Sequence, residues 1–134
     1  MRVLLVEDTV AVRDALGAAL RAHGYRVDTV GTGAAALEAV TADRGGGGGG
    51  PDLVLLDLGL PDAAGLDAVT RMRGIAPALA IIVVTGLDDD ARRAQALAAG
   101  AQDYIVKGSV DGDELAERIA AAIERRRREY AADG

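Results

Sequence analysis

The chain of 134 residues contains no cysteine, no tryptophan and no phenylalanine. The absence of cysteine excludes disulfide scaffolds, thiolate metal sites and cysteine nucleophiles. Because three tyrosines are its only aromatic residues, the chain also lacks the stacking surface of a single-strand nucleic-acid binder. Its one histidine is too few for a multi-histidine metal site. Carboxylates, hydroxyls and basic side chains therefore remain as the groups that can carry chemistry.

Charge and hydropathy restrict the class of protein further. A net charge of −6 argues against a general nucleic-acid binder. The acids Glu7 and Asp8 come too early for a signal peptide, and the longest apolar run, residues 78–84, is too short to span a membrane. Half of the residues are hydrophobic, enough for a proper core. We therefore expect one cytoplasmic globular domain that binds neither nucleic acid nor membrane.

Strands and helices alternate along the chain. Runs rich in Val, Ile and Leu, without alternation, are typical of strands buried on both faces of a parallel sheet; they are Val3–Val6, Leu53–Leu56, Ala80–Val84 and Tyr104–Val106. A fifth run, Tyr25–Val30, alternates as an edge strand does. Amphipathic helical stripes lie between the runs, with predicted N-terminal caps at Thr32, Asp88–Asp90 and Asp111 with Glu114. Five strand–helix repeats predict an α/β fold, a doubly wound five-stranded parallel sheet.

Polar side chains stand where four of these strands end. Glu7 and Asp8 follow the first strand, Asp57 ends the third, Thr85 the fourth and Lys107 the fifth. In an open parallel sheet, ligands bind at the carboxyl ends of the strands. Three converging carboxylates repel each other without a cation, and oxygen ligands suit Mg²⁺ or Mn²⁺. With a lysine and a threonine opposite the metal, this set suits a transferred phosphoryl group, and one carboxylate can act as the nucleophile.

Four segments at these spacings resemble the receiver domain of a two-component response regulator, over roughly residues 2–123. They are Val3-Leu4-Leu5-Val6-Glu7-Asp8, Leu53-Val54-Leu55-Leu56-Asp57-Leu58-Gly59-Leu60-Pro61-Asp62, Val83-Val84-Thr85-Gly86 and Gly100-Ala101-Gln102-Asp103-Tyr104-Ile105-Val106-Lys107. The resemblance implies the flavodoxin-like strand order 2-1-3-4-5, the order that a chemotaxis receiver exemplifies. It also implies a bacterial signalling protein whose own catalysis is limited to phosphorylating its aspartate and slowly dephosphorylating it.

The resemblance also assigns roles to the residues at the strand ends. Asp57 would accept a phosphoryl group from a sensor histidine kinase or a phosphotransfer protein. Mg²⁺ would be bound by Asp8, Asp57 and the carbonyl of Gly59, and by Glu7 through water. Lys107 would pair with the phosphoryl oxygens. Thr85 would hydrogen-bond to the phosphoryl group, and Tyr104 would swap between outward and inward rotamers.

Phosphorylation would thereby alter the face formed by helix four, strand five and helix five. That face also allows a homodimer. Gly108 stands where receivers usually have a proline in a cis peptide, so two geometries of the Lys107–Gly108 peptide are open on this basis. Gly59 and Leu87, two positions beyond Asp57 and Thr85, carry no group to orient an attacking water. Slow self-dephosphorylation is the hypothesis that follows from these two residues.

Two other functions are compatible with parts of this pattern. An unphosphorylated pseudo-receiver would act only as a scaffold. A haloacid-dehalogenase-like phosphatase also uses an aspartate nucleophile and Mg²⁺, but it needs a second aspartate where this chain has Gly59. For domain organisation, we expect a receiver domain over residues 1–123 with a flexible glycine insertion at 45–50. Residues 124–134 would form a helical extension that could lead into an output domain.

Overall fold

A computed structural model describes residues 1–44, 50–59 and 65–133 of the chain. Within them, five strands alternate with five helices. In chain order, the elements are β1 (Arg2–Val6), α1 (Val10–Ala22), β2 (Arg26–Val30), α2 (Gly33–Arg44), β3 (Leu53–Asp57), α3 (Gly65–Ile75), β4 (Ala80–Thr85), α4 (Asp90–Ala99), β5 (Asp103–Val106) and α5 (Gly112–Asp133). The glycines at 45–49 and the motif residues Leu60, Pro61 and Asp62 lie outside the described residues, so the expected insertion stays a prediction.

All paired strands of the sheet are parallel, in the order β2-β1-β3-β4-β5. This confirms the predicted fold class and strand order. Successive strand residues point to opposite faces, so each central strand feeds two cores. On one face, Leu4, Val54 and Ile81 pack in the core formed with α2, α3 and α4. On the other face, Leu5 and Leu55 pack against α1 and α5. Two covered faces explain why the central strands are continuously apolar.

Some predicted strand boundaries differ from the observed ones by one residue: β1 begins at Arg2 and β5 at Asp103, each one residue earlier than expected. At β2 the difference is in the other direction. Tyr25 was expected to begin the edge strand, but β2 begins at Arg26. The amide of Tyr25 instead donates to the carbonyl of Leu20, 3.2 Å away, and so completes the turn that ends α1. Gly24, at φ +88°, makes that turn possible because L side chains rarely adopt such a backbone conformation. The alternation of apolar and polar residues extends to Tyr25, but the backbone amide of Tyr25 bonds to the end of α1 and not to a neighbouring strand.

The predicted caps are present at three helix starts. The hydroxyl of Thr32 accepts a hydrogen bond from the amide of Ala35 at 3.1 Å, at the start of α2. Asp89 accepts from the first amides of α4, and the carboxylate of Asp111 accepts from the amide of Glu114 at 2.8 Å. Each bond satisfies an amide that has no partner within its own helix. Of the three acids Asp88–Asp90, the N-cap is the middle one, Asp89.

The C-terminal part of α5 lies along the edge where the strands begin, opposite the strand ends discussed above. There, three consecutive arginines contact the loops that precede β5, β4 and β3: Arg125 donates to the Gln102 carbonyl, Arg126 to the Pro77 carbonyl and Arg127 to the Asp52 carboxylate. Arg73 of α3 donates to the same Pro77 carbonyl and to that of Gly100. Burial, together with repulsion from Arg126, lowers the pKa of Arg73 to about 10, so it remains protonated at neutral pH. The C-terminal part of α5 is thus anchored at the edge of the sheet where the strands begin.

His23 joins the end of α1 to the start of α5. Its Nδ1 is 2.8 Å from the carbonyl oxygen of Ala19, and its Nε2 is 2.8 Å from a carboxylate oxygen of Asp113. Only the protonated imidazole can donate to both acceptors. The hydrogen bond to Ala19, followed by that to Asp113, raises the pKa of His23, and the charge of Asp111 acts in the same direction.

The stabilising effect of His23 is therefore expected to depend on pH. A raised pKa in the folded state contributes stability that is fully present below the unfolded value of about 6.5 and disappears as the pH rises through the folded value. The melting temperature of wild type should exceed that of His23→Gln at pH 6, and the difference should shrink by pH 9. Asp113→Asn should show the same convergence. A difference that stays constant from pH 6 to pH 9 would contradict the assignment.

Candidate functional site

The carboxylates of Glu7, Asp8 and Asp57 lie together where β1 and β3 end. One oxygen from each carboxylate lies within 4.8 Å of the others. The strands are neighbours with Val6 opposite Leu56, so the residues that follow these two are brought side by side. Glu7 and Asp57 are almost entirely buried, at 1% and 5% exposure, whereas Asp8 is exposed. Two acids therefore form the floor of the site and the third forms its rim.

Lys107 completes this cluster from β5, two strands away from β3. Its Nζ is 2.9 Å from a carboxylate oxygen of Glu7 and 3.0 Å from a carboxylate oxygen of Asp57. The amide of Lys107 donates to the Thr85 carbonyl at 2.7 Å, which fixes the backbone at the end of the strand. Burial lowers the pKa of Lys107, but its bonds to Glu7 and Asp57 outweigh burial and raise the pKa overall. Lys107 is therefore a charged ammonium at neutral pH.

The charges of this cluster do not cancel. Three carboxylates face one ammonium, and the backbone supplies two further donors: the amide of Thr9 to Glu7 at 3.2 Å and the amide of Gly59 to Asp57 at 2.9 Å. Uncharged amides cannot offset the excess negative charge. Carboxylate oxygens at this spacing, one on the solvent side, suit a hard divalent cation that keeps some of its waters.

Thr85 and Tyr104 meet at the backbone of Leu87, in the loop between β4 and α4. The hydroxyl oxygen of Thr85 accepts a hydrogen bond from the Leu87 amide at 3.2 Å. The hydroxyl of Tyr104 donates to the Leu87 carbonyl at 2.7 Å, and Tyr104 is only 2% exposed. Tyr104 is therefore in an inward position. The loop between β4 and α4 connects the two predicted switch residues.

Gly108 resolves the open question about the peptide that follows Lys107. Among the peptide bonds of the described residues none is cis, and Gly108 has φ +81°. Proline cannot adopt this angle because its ring holds φ near −65°. The turn is closed by a hydrogen bond from the Ser109 amide to the Val106 carbonyl at 3.1 Å. Glycine at position 108 therefore allows a tight left-handed turn into α5.

An apolar groove borders the cluster on the side of α1 and α5. Its volume is about 440 Å³. Lys107 and Gly108 line it, together with apolar residues that include Val12, Leu16 and Leu115. The lysine thus belongs both to the charged cluster and to an adjoining apolar surface.

The structure brings Glu7, Asp8, Asp57 and Lys107 together, as the sequence pattern predicted. The pattern did not predict a role for Arg93. Arg93 of α4 places its guanidinium carbon 4.8 Å from the centre of the Tyr104 ring. Nothing in the sequence distinguishes Arg93 from its neighbour Arg92, since both are arginines in the same helical turn; in the structure Arg92 is exposed and Arg93 is half-buried. Only the packing of α4 on β5 reveals the contact.

Comparison with known proteins gives consistent matches. Residues 3–120 match the family model described as response regulator receiver domain. The chain is 40% identical over 123 residues to the transcriptional regulatory protein KdpE of Mycobacterium tuberculosis, which covers 92% of this chain and 51% of that protein. The chain spans about half the length of the curated relatives it matches.

Solved structures are similar over nearly the whole chain. A CheY-like response regulator receiver domain protein from Methanospirillum hungatei superposes with a TM-score of 0.83 at 28% identity, covering 96% of this chain and 97% of that one. A response regulator from Burkholderia pseudomallei, solved with a phosphorylated aspartic acid, calcium ion and citrate, has a TM-score of 0.76 at 25% identity. That match covers 98% of this chain and 71% of the Burkholderia chain. None of the helices in the described ranges is long and apolar enough to cross a membrane.

Proposed function

Since the chain belongs to the response regulator receiver domain family of two-component systems, we propose that it is a cytoplasmic phosphoacceptor. Asp57 receives a phosphoryl group from a sensor histidine kinase or a phosphotransfer protein, in a reaction that requires Mg²⁺. The observation that carries the proposal is the contact of Lys107 with the carboxylates of both Glu7 and Asp57. A lone ammonium directed at two buried acids suits a site that receives negatively charged oxygens.

The transfer needs little chemistry from the protein. A carboxylate oxygen of Asp57 attacks the phosphorus of a phosphohistidine; the new O–P bond forms as the N–P bond breaks, and the imidazole leaves with the electron pair. Lys107 stabilises the charge on the phosphoryl oxygens, and Asp57 needs no base because it is already a carboxylate. The amide of Gly59 donates to one Asp57 oxygen and holds the carboxylate in one orientation.

The donor set fits a divalent cation. Asp8, Asp57 and the Gly59 carbonyl are the proposed ligands, with Glu7 acting through water; the convergence of the three carboxylates supports this assignment. When bound, Mg²⁺ or Mn²⁺ neutralises charge on the phosphoryl group. The side chain of Glu7 is one methylene longer than that of an aspartate, and its carboxylate is buried in contact with Lys107. A metal ion would therefore enter the site from the exposed side, where Asp8 lies.

Thr85 and Tyr104 are the residues proposed to couple phosphorylation of Asp57 to the face formed by α4, β5 and α5. Thr85 hydrogen-bonds to the phosphoryl group in this proposal and draws in the loop that contains Leu87. The inward position of Tyr104, bonded to the Leu87 carbonyl, supports a coupling of this loop to β5. Phosphorylation then changes the population of states of the face formed by α4, β5 and α5, where a second copy of the chain could bind.

The partner that delivers the phosphoryl group must present a histidine beside Asp57. The apolar groove that Lys107 lines offers a surface for such a partner. Residues 1–123 form the proposed receiver, and residues 124–134 its helical extension.

Incubation with acetyl phosphate and Mg²⁺, followed by intact mass spectrometry, tests the proposal. We expect one phosphoryl adduct, and we expect none when EDTA removes the metal. If no adduct forms at any Mg²⁺ concentration, the chain is a scaffold of the pseudo-receiver type. Steady release of phosphate from small phosphate esters would instead indicate a phosphatase.

Gly59 is expected to set the lifetime of the phosphorylated state. A Cβ added at this position would lie 3.4 Å from one carboxylate oxygen of Asp57 and 3.8 Å from the other, an ordinary contact distance. A longer side chain here would cover the acyl phosphate and hinder attack by water. Gly59→Met should therefore lengthen the phosphoryl lifetime about tenfold, which corresponds to about 1.4 kcal/mol in the barrier to hydrolysis.

The decay of the adduct, followed by mass after removal of acetyl phosphate, measures this lifetime. Gly31→Met is a matched control, because a Cβ there has no neighbour within 4 Å. An unchanged lifetime in Gly59→Met would show that water does not approach over this glycine.

A further inference from the structure

Arg93 contacts Tyr104 at two points and the loop that precedes α4 at a third. Its guanidinium lies over the ring face, with the central carbon 4.8 Å from the ring centre. Its Nη1 donates to the Tyr104 carbonyl at 3.1 Å. Its Nη2 lies 3.8 Å from a carboxylate oxygen of Asp88, in the loop that precedes α4. One side chain thus connects the ring, the backbone of β5 and the β4–α4 loop.

The hydroxyl end of Tyr104 is held as well. Its hydroxyl donates to the Leu87 carbonyl at 2.7 Å, and only 2% of the residue is exposed. To leave this position, the ring must break the Leu87 hydrogen bond and move out from beneath the guanidinium. A cation over a tyrosine face attracts the ring through its quadrupole. Arg93 therefore favours the inward position over the outward one.

We propose that Arg93 is a positioning residue that holds Tyr104 inward and so biases the switch before phosphorylation. The inference rests on the proposed function, since it treats Tyr104 as the switch residue. A ligand or a phosphoryl group shifts an equilibrium only by its differential affinity for the two states. By stabilising the inward state in advance, Arg93 reduces the shift that phosphorylation must supply.

Fluorine NMR of protein labelled with 3-fluorotyrosine tests the inference directly. The chain has three tyrosines and hence three resonances, and Tyr104→Phe identifies the one from position 104. In Arg93→Met, which keeps bulk but removes the charge and the donors, we expect the Tyr104 resonance to move toward the solvent-exposed value. The ratio of inward to outward rings should fall about tenfold, the size expected for a partly desolvated cation–π contact with a hydrogen bond.

Two further variants separate positioning from general effects on folding. Arg93→Lys keeps a cation near the ring and should restore part of the inward population. Arg92→Met is the matched control, since Arg92 is adjacent and its nearest acid, Asp89, is 3.9 Å away. It should leave the Tyr104 resonance in place. If the resonance also stays in place in Arg93→Met, or moves equally in Arg92→Met, the inference is wrong.

The phosphorylation rate distinguishes this inference from the function on which it rests. With acetyl phosphate and Mg²⁺, Arg93→Met should acquire the adduct several-fold more slowly than wild type, whereas Arg92→Met should match wild type. An adduct in wild type with equal rates in all variants would overturn the inference alone. Absence of any adduct in wild type would overturn the proposed function, and the fluorine spectra would still decide what Arg93 does to Tyr104.

Discussion

Asp57→Ala is expected to form no phosphoryl adduct with acetyl phosphate and Mg²⁺ while keeping its fold. The variant lacks the proposed acceptor oxygen, and neither neighbouring acid can replace it. Glu7 is engaged by Lys107 at 2.9 Å and is 1% exposed. Asp8 lies on the exposed rim and does not share the Gly59 amide that orients Asp57. The expected loss is therefore complete.

The fold should survive because removal of Asp57 leaves Lys107 with a partner. Lys107 retains its contact with Glu7, and one of three mutually repelling carboxylates is gone. Asp57→Asn is the stricter version, since it keeps the shape of the side chain and an oxygen for the Gly59 amide. Both variants should show a circular dichroism spectrum and a cooperative melting transition like those of wild type.

Asp67→Asn supplies the matched control for the mass measurement. Asp67 is an exposed acid on α3, paired only with Arg71 at 2.8 Å among the ion pairs of the described residues. It should acquire the adduct as wild type does. A normal adduct in a folded Asp57→Ala protein would place the acceptor elsewhere and end the present assignment.

Lys107→Met should lower the free energy of unfolding by about 2 kcal/mol. This value lies below the range for breaking a fully buried ion pair, because the lysine side chain is 29% exposed and its charge is partly screened by solvent. The loss arises because Glu7 keeps its buried charge without the ammonium 2.9 Å away. Adduct formation should fall more than tenfold as well, since an electrostatic donor of this kind contributes about two to three powers of ten. Urea unfolding measures the first effect and intact mass the second.

Lys107→Arg separates charge from shape. The positive charge remains, so the stability should stay near that of wild type. A planar guanidinium is larger and spreads its donors in a fixed fork, whereas the ammonium reaches both Glu7 and Asp57 with one nitrogen. We expect slow phosphorylation and impaired switching in this variant. A rate equal to that of wild type would show that a compact cation is unnecessary.

Arg71→Met is the control for both lysine variants, because Arg71 is an exposed cation on α3. It should change the free energy of unfolding by less than about 1 kcal/mol, as exposed pairs do. Together with Lys107→Arg, it shows whether the lysine acts through its position or merely through net charge.

Sequence reasoning predicted this site well where backbone topology alone decides the outcome. The apolar runs mark the strands, and Glu7, Asp57 and Lys107 follow their ends, so a parallel sheet must collect them at one edge. The resemblance to receivers supplied the strand order, which periodicity by itself leaves open. Both levels agree with the structure.

Side-chain contacts between separate elements were less accessible to sequence reasoning. The bridge from His23 to Asp113 spans ninety residues, and its existence depends on how α1 packs on α5. The contact of Arg93 with Tyr104 similarly depends on the rotation of α4 about its axis. Local sequence patterns predict neither the His23–Asp113 contact nor the Arg93–Tyr104 contact. The positive φ of Gly108 was hidden for another reason, because glycine permits many turns and does not specify one.

The anchoring of the C-terminal part of α5 has a mechanical consequence. With 22 residues, the helix is about 33 Å long. It starts beside Gly108, next to the charged cluster, and its arginines contact the loops on the far side through Gln102, Pro77 and Asp52. A helix is stiff along its axis, so a displacement of its first turn is passed on to the loops that its arginines contact. In this protein α5 therefore connects the turn beside the charged cluster to the loops at the opposite edge of the sheet.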